Sequence, residues 1–301
     1  MPAASRPLSG LDFCLAGAGR VGASLAHWAV AAGARPIAIS YHTRQRAAEE
    51  LAGDLAARAV PFDELTSGGC DLLLVAVPDP ALVEVAERLA RRPQALVALH
   101  TSGSRGAEAL APLAAAGSAT GALHPLKAFP RPLPRIGEAR GVFFALDGAA
   151  GAIALAERLV AAWDGVAGRV PGDRRDLYHL AASLCAGGTA TLLATAARIA
   201  AVAQLPPAVV GGYLELARGA LIAVAEEVAG GGDAAAAITG PVARGDEATV
   251  TRQLAALTEA RPDLVPLVAI VGRQTLARRG EIATLSDAEL RMVARLERML
   301  G

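Results

Sequence analysis

The first half of the chain alternates short, nearly uninterrupted apolar runs with longer stretches in which apolar residues recur every three or four positions. Residues 11–16, 36–40, 71–79, 95–99 and 119–123 read as strands buried on both faces, with a last strand over 141–146. Helices are expected after the first run as far as Gly33, then over 46–58, 81–90 and 107–116. Such alternation builds a doubly wound, mostly parallel sheet, whose ligands sit beyond the carboxyl ends of its strands. Beyond Gly148 the strand pattern stops. Helical periodicity continues over 150–163, 174–203, 207–229, 249–259, 264–278 and 286–300, with Asp287 and Glu289 near the start of the last, where carboxylates suit the helix dipole. The expected organisation is an α/β domain over 1–148 followed by an all-helical domain over 149–301 that serves substrate binding and dimerisation.

Gly17-Ala18-Gly19-Arg20-Val21-Gly22 lies between the first strand and the first helix, the context of a dinucleotide-binding turn. Gly17 permits the sharp turn, Gly19 lets a pyrophosphate approach the backbone, and Gly22 lets helix pack on strand. The free amides and positive dipole end of the helix complete an anion site. The second strand ends at Ser40, where an NAD-selective site would place a carboxylate against the ribose hydroxyls. No Asp or Glu occurs between Gly33 and Arg46; the chain reads Ser40-Tyr41-His42-Thr43-Arg44-Gln45-Arg46. The hydroxyls of Ser40 and Thr43 and the guanidinium of Arg44 fit a ribose 2′-phosphate, so NADP(H) is expected, although Arg44 and Arg46 also read as solvated charges at a helix start. Val77-Pro78-Asp79 and Thr101-Ser102, at the ends of the next two strands, are expected to line the same cofactor site.

Composition narrows the picture. With 301 residues and 53% hydrophobic content the chain can bury two cores, which places it among globular proteins. Lys plus Arg and Asp plus Glu each total 29, and no basic stripe points to nucleic acid, so a small-molecule substrate is expected. Cys14, Cys70 and Cys185 are far apart in the sequence and set in apolar segments, which reads as free buried thiols in the cytoplasm, with no metal spacing. Residues 177–197 carry no formal charge and are long enough to span a bilayer. His179, Ser183, Thr189, Thr191 and Thr195 suit a buried helix or a helix–helix interface better than lipid. With 206–216, this apolar stretch points to a homodimer through the helical domain.

Polar groups that interrupt the apolar runs are the candidates for chemistry. His100 and His124 each follow a presumed strand, and either can orient a substrate, exchange a proton, or simply be held by loop backbone. Lys127 follows His124 and joins His100 as a candidate substrate contact. Tyr178-His179 opens the long apolar helix, and Ser183 and Gly187 follow His179 at four-residue steps on one face. His179, His124 and Ser183 are therefore the candidate catalytic groups. Asp246 reads as a helix cap. Arg244, which capping does not need, is a candidate anchor for an anionic substrate.

His100-Thr101-Ser102-Gly103, residues 122–129, Tyr178-His179 and residues 239–246 together resemble, in order and spacing, the bacterial Rossmann-like proteins carrying a C-terminal domain of unknown function 2520. These are similar in layout to pyrroline-5-carboxylate reductase and to the 6-phosphogluconate and β-hydroxyacid dehydrogenases. The resemblance implies an NADP-dependent oxidoreductase with its active site between the domains, acting on a small carbonyl, hydroxy or imine compound. An imine reductase resembling pyrroline-5-carboxylate reductase and a non-catalytic NADP(H)-binding redox regulator are the alternatives. The chain departs from its relatives in having Gly187 where the family commonly has Asn, and in having no Lys on the helix after Tyr178, where β-hydroxyacid dehydrogenases use one.

Overall fold

The computed structural model describes residues 6–300; residues 1–5 and 301 of the expected domain ranges lie outside the described residues. One sheet holds β1 (Asp12–Ala16), β2 (Arg35–Tyr41), β3 (Arg58–Pro61), β4 (Leu72–Val75), β5 (Val97–His100), β6 (Ala119–Pro125), β7 (Phe143–Gly148) and β8 (Val166–Arg169). The strand order is β3-β2-β1-β4-β5-β6-β7-β8. All neighbours pair in parallel except β6 and β7, so the last two strands run against the others.

The unbroken apolar character of β1 and β4 follows from burial on both faces. Phe13, Leu15, Leu72 and Leu74 point into one core with Trp28, Leu51, Leu159 and Trp163. Their alternates Cys14, Ala16, Leu73 and Val75 point into the other, with Leu82, Ala86, Leu110 and Leu113. Helices α1 (Arg20–Ala31), α2 (Gln45–Leu55) and α5 (Ala150–Ala162) cover the first face, and α3 (Leu82–Leu89) and the short α4 (Ala111–Ala115) cover the second.

Several expectations need correction. The 107–116 helix is a 3₁₀ turn over Ala107–Leu110 before α4. Strands β3 and β8 were not foreseen: Arg58-Ala-Val-Pro and Val166-Ala-Gly-Arg are four-residue edge strands with too few apolar positions to show a pattern. Because β7, α5 and β8 form a parallel crossover unit within the sheet, the first compact unit extends past Gly148 and ends at Ala186. Cys14 and Cys70 are buried, with their sulfurs 3.3 Å apart, and burial pushes the Cys14 thiol up to about 12. Cys185, by contrast, is exposed.

The expected helix over 174–203 is two helices, α6 (Arg175–Ser183) and α7 (Thr189–Val202), joined by a π-helical turn over Leu184–Gly188. Leu177, Leu180, Leu184 and Leu192 are exposed in the single chain, so of the two expected settings, a buried helix or a helix–helix interface, the first is not met. By length and composition the run Gly172–Val202 could cross a membrane.

The second unit contains α7, α8 (Val209–Ala229), α9 (Glu247–Ala260), α10 (Val265–Ile282) and α11 (Asp287–Arg298). Its core is Val250, Leu254, Ala269, Leu276, Met292 and Leu296. Asp246 caps α9 by accepting from the Thr249 amide at 3.0 Å, as expected. Ser286 and Glu289 form a reciprocal capping box on α11, and Arg279 binds the Glu289 carboxylate.

Ser24 ties the Pro-rich connector to α1: its hydroxyl donates to the Arg20 carbonyl at 2.6 Å and accepts from the buried Leu133 amide at 2.8 Å. Ser24→Ala leaves that amide without a partner and should lower unfolding stability by about 1–3 kcal/mol in urea titrations.

Candidate active site

A cleft of about 960 Å³ opens at the carboxyl ends of the strands, and every residue lining it belongs to the first unit. Its floor is the turn between β1 and α1. Gly17 has φ +103°, and a Cβ there would lie 2.5 Å from the Ala76 carbonyl oxygen. A Cβ on Gly22 would lie 2.3 Å from the Gly17 oxygen and 2.9 Å from the Ala76 methyl. Strand and helix can approach this closely only through glycine. A Cβ on Gly19 would meet nothing within 4 Å, because that position faces the open cleft. The first turn of α1 has no acidic residue, so its free amides and Arg20 present positive potential there.

Gly17, Ala18, Gly19, Arg20 and Val21 line the cleft; Gly22 lies behind them as a packing position. Ser40, Thr43 and Arg44 line one end. Thr43 and Arg44 are exposed, and Ser40 is buried at the end of β2. Arg46 instead binds Glu50 one turn along α2 at 2.8 Å, as a surface pair. Val77, Pro78 and Asp79 line the middle, with Thr101 and Ser102 beside them. The Ser104 hydroxyl donates to Asp79 at 2.6 Å and ties the two loops together.

The far end is a cluster of aromatic and basic groups. The Nδ1 of His124 lies 2.8 Å from the Tyr178 hydroxyl. The His124 and His179 rings stand edge to face with centroids 6.0 Å apart. Both crowd over Gly103, where a Cβ would lie 2.5 Å from His179 and 2.7 Å from His124 Nε2. Only glycine lets the loop pass beneath the rings. Burial, then the neighbouring His179 and Arg175, pull the His124 pKa down to about 4, so its imidazole is neutral at pH 7. Burial raises the Tyr178 phenol, and Arg175 opposes that rise. Lys127 lines this end as well.

Arg175, at the start of α6, holds the arrangement. It is wholly buried, and its guanidinium donates to the Ser102 carbonyl and the Ala145 carbonyl, each at 3.1 Å. Its Nε has no hydrogen-bond partner among the described residues.

Two candidates move out of the site. His100 is wholly buried as the last residue of β5; its Nε2 lies 2.9 Å from the Gly106 oxygen and its Nδ1 accepts from the Ser102 amide. It shapes the loop from behind rather than meeting a substrate. Ser183 is exposed and donates back to the His179 carbonyl at 2.9 Å, which occupies its proton within the helix. Arg244 lies exposed in the second unit. Among the described residues no group of three or more His, Cys, Asp or Glu side chains is placed to hold a metal. Sequence reasoning missed Arg175 and the role of Gly103. It also missed Phe62 and Arg88, which line the cleft beside Arg44.

Residues 6–125 match the model of a Rossmann-like domain, and residues 142–275 match that of domain of unknown function 2520. The chain thus carries a Rossmann-like domain followed by a domain of unknown function 2520. No curated protein matches it in sequence. Among solved structures, a Bacteroides fragilis protein described as a "putative NADP oxidoreductase" superposes with TM-score 0.74 at 20% identity, covering 89% of this chain and 98% of that one. The Thermotoga maritima protein TM1727 gives 0.63 at 19%, covering 96% and 98%. An imine reductase from Myxococcus stipitatus, in complex with NADP+, gives 0.62 at 17%, covering 96% and 100%. At these identities the likeness establishes the fold shared with this DUF2520 chain.

Burial also pulls the His100 pKa down to about 4, from the usual 6.5. The unfolded chain therefore binds protons at His100 and His124 that the native fold excludes, and their stabilising contribution is present above about pH 6.5 and lost as pH falls towards 4. Urea unfolding followed from pH 7.5 to 4.5 should show stability falling through this window, and His100→Asn should flatten part of the fall.

Proposed function

We propose that this protein is an NADP(H)-dependent oxidoreductase that moves a hydride between the nicotinamide and a small carbonyl, hydroxy or imine compound. The observation that carries the reading is one cleft with a glycine cradle at its floor, an acid-free Ser40–Arg44 rim at one end and the Tyr178–His124–His179 cluster at the other. The fold shared with the Bacteroides "putative NADP oxidoreductase" and the Myxococcus imine reductase supports the same class. The unobstructed approach at Gly19 fits a pyrophosphate on the α1 amides, with Arg20 beside it. Ser40, Thr43 and Arg44 would take the ribose 2′-phosphate, while Val77, Pro78, Asp79, Thr101 and Ser102 form the walls. When bound, the cofactor supplies the hydride chemistry.

The chain's own residues handle the proton. With the Tyr178 phenol donating to Nδ1 of neutral His124, the second ring nitrogen carries its hydrogen towards Gly103 and the cleft. It can donate to the oxygen or nitrogen of the reacting double bond while Tyr178 resupplies it from behind. His179 bounds the same space. Lys127, the sole lysine of the chain, adds a compact cation with transferable protons. The likeness to an imine reductase favours an imine substrate as a second reading, because an iminium ion arrives already protonated and asks less of a neutral donor.

Calorimetric titration with NADPH and NADH tests the cofactor assignment. NADPH is expected to bind more tightly, and Arg44→Ala should weaken it at least about tenfold, through loss of a charged hydrogen bond, while leaving NADH unchanged. Binding of neither dinucleotide to the wild type would sink the reading. Binding without turnover on a panel of ketones, oxo acids and cyclic imines would leave a redox-sensing regulator.

We also propose a homodimer through the helical unit. Helix α8 has no buried residue, and Leu214, Leu216, Leu221, Ile222 and Val228 lie exposed along it. So much apolar helix in water calls for a partner surface, and a second copy supplies a matching one. Sedimentation equilibrium should give a mass near twice the chain's 30.4 kDa, and Leu216→Asp with Leu221→Asp should shift the population to monomer.

A further inference from the structure

The cleft wall also holds a flat cationic group stacked on an aromatic ring. Arg88, on the cleft-facing side of α3, sits with its guanidinium 4.6 Å from the centroid of the Phe62 ring. Its edge is engaged: it pairs with Asp63 and lies 3.6 Å from the Glu84 carboxylate one turn back on α3. Pairing with Arg88 in turn holds the Asp63 carboxyl below the usual carboxylate range. Phe62 is buried and fixed in the core beneath α3. The guanidinium is therefore oriented before any ligand arrives, with one face on the ring and its charge shared with two carboxylates.

These contacts decide what Arg88 can bind. A phosphate would have to compete with Asp63 and meet the repulsion of Glu84, so Arg88 is poorly placed as an anion ligand. Arg44, which has no ion pair among the described residues, has no such handicap. Arg88 lines the cleft together with Val85 and Ala81, so what is left to a ligand is the guanidinium face turned away from the Phe62 ring. A planar guanidinium stacks on aromatic rings, and a purine is the planar ring with which a dinucleotide would meet this wall.

We propose that Arg88, supported from below by Phe62, is the platform on which the adenine ring stacks. This subsite rests on the dinucleotide reading above and adds to it a residue that serves NADPH and NADH alike. It divides the work at this end of the cleft. Arg44 distinguishes the two cofactors by charge, whereas Arg88 holds the base they share.

The test is calorimetry with NADPH, NADH and AMP on the wild type, Arg88→Met and Arg88→Lys. Both variants should weaken all three ligands by a similar factor, about five- to twentyfold. Lysine keeps the charge and the ion pair but loses the flat face, so it should not rescue. Unchanged affinities in both variants would overturn the proposal. Loss confined to NADPH, or full rescue by lysine, would overturn it in favour of a phosphate contact. If the wild type binds AMP in an Arg88-dependent way but neither dinucleotide, the adenine platform stands and the oxidoreductase reading falls. If it binds none of the three, both fall. Should Arg88→Met fail to fold, Arg88→Lys alone decides between the outcomes.

Discussion

A buried cation organises the histidine end of the cleft. Among the described residues no carboxylate pairs directly with Arg175; Asp147 and Glu108 favour its charge from further off, and its hydrogen bonds go to the carbonyl of Ser102, in the loop after β5, and the carbonyl of Ala145, in β7. Removing a guanidinium from water is costly unless hydrogen bonds replace the lost hydration, so the arrangement is stable only with both carbonyls in place. The antiparallel turn of the sheet supplies one of them. Ala145 lies directly opposite His124 in the β6–β7 ladder, so the carbonyl that anchors Arg175 is fixed in register with the histidine that lines the cleft. From that anchor α6 runs on by one turn, which sets Tyr178 against His124 and His179 over Gly103.

The same cation sets the electrostatics. It adds to burial and to His179 in keeping His124 neutral, and it works against burial at Tyr178. Burial outweighs Arg175 at the phenol, so His124 and Tyr178 are both held neutral and share their hydrogen bond as neutral partners. The opposite end of the cleft obeys another rule: Arg20 and Arg44 are exposed and present charge to solvent, where it attracts an anion at little desolvation cost. The cleft is thus cationic where phosphates would lie and close to neutral where bonds would be made.

How much of this was readable in the sequence depended on whether the signal was local. The glycine turn was legible because Gly17, Gly19 and Gly22 each answer a constraint set by immediate neighbours, and the strands β1, β4 and β5 because burial on both faces removes polar residues. Strands β3 and β8 were not, since four-residue edge strands carry no pattern. The roles of the histidines were illegible for a different reason. His100 and His124 occupy similar places after similar strands, and only the fold shows that one ring turns inward to the Gly106 carbonyl while the other meets Tyr178, 54 residues away in sequence. Past Gly148 the sequence reads as helical, and only the pairing of β8 with β7 shows that the sheet continues there.

The reversal of strand direction at β7 links fold to chemistry. A sheet that ended at β6 would place His124 at its edge, with solvent on one side and no carbonyl to receive Arg175. Adding β7 and β8 in the opposite sense covers that edge and brings Asp147, whose carboxylate accepts from the Ala107 amide at 2.9 Å, against the loop after β5. A Cβ on Gly106 would lie 2.8 Å from the Gly172 Cα and 2.9 Å from Asp147, which shows how closely loop, strand and the lead into α6 are pressed together. The cluster of Tyr178, His124 and His179 is consequently held by Arg175, by Asp147 and by close backbone packing, so a substitution in β7 or at Gly106 would disturb its geometry as surely as one at the histidines.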